Sequence, residues 1–136
     1  MIHGDIRADN MFFRGDDVAM IDFQLLTRGS GVADAAYVII QGMTTEERDG
    51  RDEELLDHYL RAYGAAGGRR FDAADAWRHY RLAVLMFFAF PVTAMHTWDQ
   101  LPDTARELCL ELTERGIATI CGTASTTSSS SPAPRR

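Results

Sequence analysis

Only one stretch of this chain has the makings of a β-sheet, and it is too small to stand alone. Met11-Phe12-Phe13, a Gly/Asp turn over residues 14–17, and Val18-Ala19-Met20-Ile21 predict a β-hairpin. A two-stranded hairpin is at best marginally stable in water, so it must lie on other structure. What the rest of the chain offers is helix. Leu55, Leu56, Tyr59, Leu60 and Tyr63 recur at three- and four-residue spacing, which predicts a helix over 53–65, ended by Gly67-Gly68. Residues 71–75 start the longest helix, expected to reach about residue 98 with a kink at Pro91. Pro102-Asp103 opens a last helix to about residue 121. Asp34 is placed to N-cap a shorter helix over 35–40, and Thr44-Thr45-Glu46-Glu47 to open a single helical turn. The expected class is α+β, mainly α, with one small hairpin beside a helical bundle.

Composition narrows the function. A chain of 136 residues makes one domain, which buries about two-thirds of its unfolded surface. Net charge −6 argues against a nucleic-acid protein, which carries a basic stripe. All 14 basic residues are arginine, so these residues run no chemistry that needs a lysine, neither a Schiff base nor a lysine phosphate anchor. Cys109 and Cys121 are too few for a disulfide framework or a zinc site, and free thiols in a reducing cytoplasm are expected. The longest apolar run, residues 82–95, contains Pro91 and falls short of the roughly 20 residues a bilayer needs. It reads as a buried core helix, with no membrane partner. The opening residues are polar and carry no signal-peptide pattern. From residue 122 the composition collapses into Ser, Thr, Pro and Ala, so 122–136 is expected to be a disordered tail.

The polar residues around the hairpin are the chemical signal. Asp5 precedes Asn10 by five positions, and Asp22 follows directly on the strand ending at Ile21. A loop presenting Asp5 and Asn10 beside Asp22 puts three oxygen ligands or bases in one cleft. Hard oxygens of this kind suit Mg²⁺, which takes one or two carboxylates together with water and substrate phosphates. A carboxylate left off the metal can orient a hydroxyl nucleophile and accept its proton. A metal-dependent hydrolase built on His3, Asp5 and Asp22 would want a further His or carboxylate at ligand spacing, and the sequence shows none.

The order His3-x-Asp5, four residues, Asn10, then an apolar strand and Ile21-Asp22-Phe23 resembles the catalytic loop and metal-binding segment of protein-kinase-like phosphotransferases. Gly4, between His and Asp, shifts the resemblance to the small-molecule branch: aminoglycoside phosphotransferases, choline kinases and the ecdysteroid-kinase-like group. Gly29 followed by Asp34-Ala35-Ala36-Tyr37 is similar to that branch too, although Gln24 stands where a kinase has the Gly of Asp-Phe-Gly. The resemblance implies the C-terminal lobe of a protein-kinase-like fold over 1–121, with catalytic loop 3–10, metal-binding segment 21–24 and helical part 34–121. It implies transfer of the γ-phosphoryl group of ATP (or GTP) to a hydroxyl of a small molecule. Asp5 would then be the catalytic base, and Arg7 would stabilise charge on the transferring phosphate. Asn10 and Asp22 would hold Mg²⁺ and the nucleotide, with His3 and Asp34 as structural support. Such a kinase also has a mostly β amino-terminal lobe with a phosphate-binding lysine. This chain has no lysine, so it reads as a truncated catalytic lobe, inactive alone and prone to self-association through the uncovered inter-lobe surface. The competing reading is a non-catalytic remnant that binds a ligand or partner. The cluster of Met86, Phe87, Phe88, Phe90 and Met95 reads as core, with part of it free to line an acceptor pocket.

Overall fold

The computed structural model describes residues 1–128. A 3₁₀ turn at Ala8–Asn10 leads into β1 (Met11–Arg14), which pairs antiparallel with β2 (Asp17–Met20). Met11 faces Met20 and Phe13 faces Val18 across the pair. A second 3₁₀ turn, Phe23–Leu25, precedes five helices: α1 (Gly31–Gly42), α2 (Thr45–Arg48), α3 (Asp52–Ala65), α4 (Ala73–Ala94) and α5 (Asp103–Ser128). The mainly helical α+β architecture is the one the residue pattern predicts.

The bundle forms around α4. Ala76, Tyr80, Ala83, Val84 and Phe87 recur every three to four residues and make one buried stripe. Against it pack Val32, Ala36, Ile39 and Ile40 of α1 and Leu56 of α3. The small side chains at Ala36, Ala76 and Ala83 let the helices approach closely. Local chemistry sets the helix ends. Asp72 caps α4, its carboxylate accepting from the backbone N–H groups of Ala74 and Asp75. Thr44 and Glu47 form a reciprocal capping box that starts α2.

Several expectations need correction. The hairpin does not lie on the helices: every strand residue except Met11 is exposed. The run 82–95 is not buried throughout. Its neighbours α1 and α5 cover only one stripe, leaving Leu82, Leu85, Met86, Phe90 and Val92 open. By length and composition Ala73–Gln100 is apolar enough to cross a bilayer, with mean hydropathy 1.3 and 22% of that window buried. Thirdly, α1 begins at Gly31 behind Ser30, so Asp34 lies inside its first turn and does not cap it. Lastly, the helical path leaves regular geometry at Thr97 (φ −110°, ψ 25°), within a 3₁₀ segment Met95–Gln100, not at Pro91. The longest helix is α5, which runs past the boundary expected at residue 121 as far as Ser128, since extending a formed helix costs far less than starting one. The rest of the expected tail, 129–136, lies outside the described residues.

Candidate active site

The loop before β1 is fastened from beneath by α1. Asp34 turns its carboxylate away from its own helix and accepts from the backbone N–H of His3 (2.7 Å) and of Gly4 (3.0 Å). Ile2 and Thr27 exchange two backbone hydrogen bonds in an isolated antiparallel bridge, 2.8 and 3.1 Å long. Gly4 sits at φ +84°, and a Cβ there would lie 2.8 Å from the Leu25 carbonyl oxygen. The sharp turn between His3 and Asp5 is therefore open only to glycine.

His3 is buried, and both ring nitrogens are occupied. Nε2 donates to the Ile21 carbonyl (2.9 Å) and Nδ1 accepts from the Asp5 backbone N–H (3.3 Å). A carbonyl only accepts and a backbone N–H only donates, so this pair of bonds selects the neutral Nε2–H tautomer. The ring packs on Phe23 at 4.7 Å between centroids. His3 thus spans from the loop to the end of β2, and neither nitrogen is free for a metal or a proton. That disposes of the hydrolase reading.

Asp5 lies at the centre of a small polar cluster. Asn10 is buried and gives Nδ2 to both the Asp5 main-chain oxygen (2.9 Å) and its Oδ2 (3.0 Å). The Tyr37 hydroxyl donates to Oδ1 at 3.3 Å. Arg7 places Nε 3.7 Å from Oδ1 and reaches Asp9 at 3.9 Å; its Nε is buried without a hydrogen-bond partner. Burial, and then the negative charge of Asp5, push the Tyr37 phenol up to about 12.

With its amide nitrogen committed, Asn10 has Oδ1 left to offer a cation. Its main-chain oxygen accepts from Ile21 N–H at 3.0 Å, which couples it to the segment carrying Asp22. Asp22 adopts the left-handed conformation (φ 62°, ψ 61°), the only non-glycine at positive φ among the described residues. This costs on the order of 1–2 kcal/mol and is most tolerable for Asp or Asn. Its exposed carboxylate takes a hydrogen bond from Gln24 Nε2 at 3.2 Å. An amide oxygen and a carboxylate are hard donors that suit Mg²⁺. Among the described residues no group of three His, Cys, Asp or Glu could hold a metal ion, so the site would need phosphate or water oxygens to complete it.

The structure therefore brings Asp5, Arg7 and Asn10 into direct contact, with His3 and Asp34 as their supports and Asp22 joined through the backbone. Beside the loop is a mostly apolar cavity of about 460 Å³, walled by Ile6, Asp34 and Val38 and by Leu55, His58 and Tyr59 of α3. Of the expected cluster Met86, Phe87, Phe88, Phe90 and Met95, Phe87 joins the core, whereas Met86 and Phe90 lie on the exposed side of α4. The sequence names Tyr37 only as the end of the Asp34-Ala35-Ala36-Tyr37 stretch and gives it no role. Its signal was its spacing: three residues after Asp34 it shares a helix face with the residue that holds the loop.

The model of the ecdysteroid kinase-like family matches residues 1–65, the segment containing this whole cluster, and agrees with the kinase-like resemblance of the sequence. The chain is also 26% identical over 113 residues to the probable acyl-CoA dehydrogenase IBR3 of Arabidopsis thaliana. That alignment covers 71% of this chain and 13% of the plant protein, so the chain spans only a small part of that relative. No solved structure matches.

Proposed function

We propose, from the kinase-like character of residues 1–65, that this chain carries the catalytic lobe of an ATP- or GTP-dependent phosphotransferase acting on a hydroxyl of a small molecule. The observation that carries the reading is the Asp5–Asn10 pair: a carboxylate oriented by an amide whose remaining oxygen is free for a cation. Asp5 accepts the proton of the acceptor hydroxyl as that oxygen bonds to the γ-phosphorus and the bond to the β-phosphate oxygen breaks, releasing the nucleoside diphosphate. Asn10 Oδ1 and Asp22 would hold Mg²⁺, which when bound neutralises phosphate charge. Arg7 stands beside Asp5 and supplies positive charge on the phosphate side. The cavity next to Ile6 and Asp34 is where we place the body of the acceptor.

The 136 residues contain no lysine, so a lysine that grips the α- and β-phosphates would have to come from elsewhere. We therefore expect the chain alone to transfer no phosphate and to bind Mg-ATP with Kd on the order of millimolar or weaker. The same absence favours a second reading, a lobe kept for binding a ligand or partner. Exposed Phe12, Phe13, Val18 and Met20 support self-association in either case.

The test is a nuclear magnetic resonance titration of the labelled chain with Mg-ATP. Weak binding with shifts centred on Asp5, Asn10 and Asp22, abolished by Asp22→Ala, is the expected result. Shifts centred elsewhere, or unaltered by Asp22→Ala, would remove the metal–nucleotide role. In any form of the protein that turns over, Asp5→Asn should retain nucleotide binding and lose phosphoryl transfer, because an amide keeps the shape but cannot take the proton.

A further inference from the structure

The Asp5 carboxylate is hydrogen-bonded at both oxygens, and only one of the two donors belongs to the loop over residues 3–10, where Arg7 also stands 3.7 Å from Oδ1 as an ion pair. Asn10 donates to Oδ2 at 3.0 Å; the other donor, Tyr37, comes from α1 and reaches Oδ1 at 3.3 Å. The phenol ring has its own anchor, stacked on Phe87 of α4 with centroids 4.4 Å apart and planes 21° from parallel. Phe87 belongs to the central buried stripe. A chain of contacts thus runs from the bundle core through Phe87 and Tyr37 to the carboxylate.

The terminal torsion of an aspartate is soft and roughly two-fold, so a carboxylate gripped at one oxygen turns readily. Gripping both oxygens from different elements fixes its plane. We propose that Tyr37 is a positioning residue for Asp5: its hydroxyl sets the plane of the carboxylate, and the Phe87 stack sets the hydroxyl. The raised ionisation of the phenol keeps it protonated, and so a donor, across the physiological range. At 3.3 Å the bond is long for O–H···O, as catalytic hydrogen bonds often are before substrate binds. The catalytic consequence, a carboxylate aimed at the acceptor hydroxyl, rests on the phosphotransferase reading; the positioning itself does not.

The experiment uses the isotope-labelled chain and Tyr37→Phe, which keeps the ring and the stack but deletes the hydroxyl. The readouts are the Asp5 carboxyl ¹³C shift and the order of the Asn10 side-chain amide. In the variant the carboxyl shift should move, and the Asn10 order parameter should fall from the rigid range near 0.85 to below about 0.6. Backbone amides of α1 and α4 should stay in place, showing an intact bundle. A second variant, Phe87→Leu, keeps the hydroxyl but removes the stack and should move the same two signals in the same direction by less. Unchanged Asp5 and Asn10 signals in Tyr37→Phe would overturn the proposal. So would changes spread evenly over α1 and α4, which mark a merely structural tyrosine. If Tyr37→Phe frees Asp5 while the Mg-ATP titration finds no binding at this cluster, the positioning stands and the phosphotransferase reading falls.

Discussion

Replacing Asp52 by alanine should destabilise the bundle more than any change in the loop over residues 3–10, because a buried arginine depends on it. Arg48 is 2% exposed and has entered the interior between α2, α3 and α5. Its Nη2 donates to the Arg115 carbonyl at 3.0 Å, its Nε lies 3.8 Å from Asp52 Oδ1, and its Nη1 is buried without a partner. The same Oδ1 accepts from the hydroxyl of Tyr80, which is fully buried, at 2.6 Å. Asp52→Ala removes the only carboxylate paired with that guanidinium among the described residues and orphans the hydroxyl. Breaking a buried pair from one side costs about 3–5 kcal/mol, and orphaning the hydroxyl belongs to the same loss. With an unfolding entropy of about 2.1 cal/mol/K per residue, this corresponds to a Tm lower by roughly 10–17 °C for a chain of this length. Urea unfolding followed by far-ultraviolet circular dichroism measures the free energy directly, provided the slope with denaturant is unchanged. The double variant Arg48→Met, Asp52→Ala removes the stranded charge and should recover part of the loss. A cost below about 1 kcal/mol for Asp52→Ala, or a double variant as damaged as the two singles added together, would refute the claim that the carboxylate supports a buried charge.

Gly4→Ala should detach the loop from the turn behind it, since the backbone there has φ +84° and the new methyl would meet the Leu25 oxygen. We expect a cost of about 1–3 kcal/mol and faster hydrogen exchange at the His3 and Gly4 amides held by Asp34; unchanged protection would contradict this. Tyrosine ionisation should mark the alkaline limit of the fold. Burial, then the neighbouring carboxylates, raise Tyr37 to about 12 and raise Tyr80 as well, so the folded state favours the neutral phenols. The stability they contribute is fully present below pH 10, the unfolded value, and is lost as pH rises through the folded values. Absorbance at 295 nm should show Tyr37 and Tyr80 titrating only with unfolding. All four tyrosines titrating together near pH 10 in a folded chain would count against the burial argument.

The helices were legible in the sequence because their signals are local: apolar side chains at three- to four-residue spacing, Asp72 at a cap, Thr44 and Glu47 at a capping box. The polar cluster of the loop was legible for a related reason, as the order His3, Asp5, Asn10, Asp22 compresses it into one short segment. Asp34 shows where local rules stop. By composition it is a good N-cap, yet two amides of a distant loop outbid its own helix, a competition that exists only once α1 lies beneath that loop. The same holds for the run 82–95, whose apolarity says that it packs but not how many sides find a neighbour. Arg48 carries no mark of its role in its own neighbourhood, and Tyr37 carries only its three-residue spacing from Asp34. The partners of Arg48 include a carbonyl 67 residues away, and Tyr37 meets Asp5 from 32 residues along the chain. Periodicity and capping are properties of neighbouring residues and can be read in order. A buried charge or a carboxylate held from two elements depends on which surfaces meet, and only the packed tertiary structure decides that.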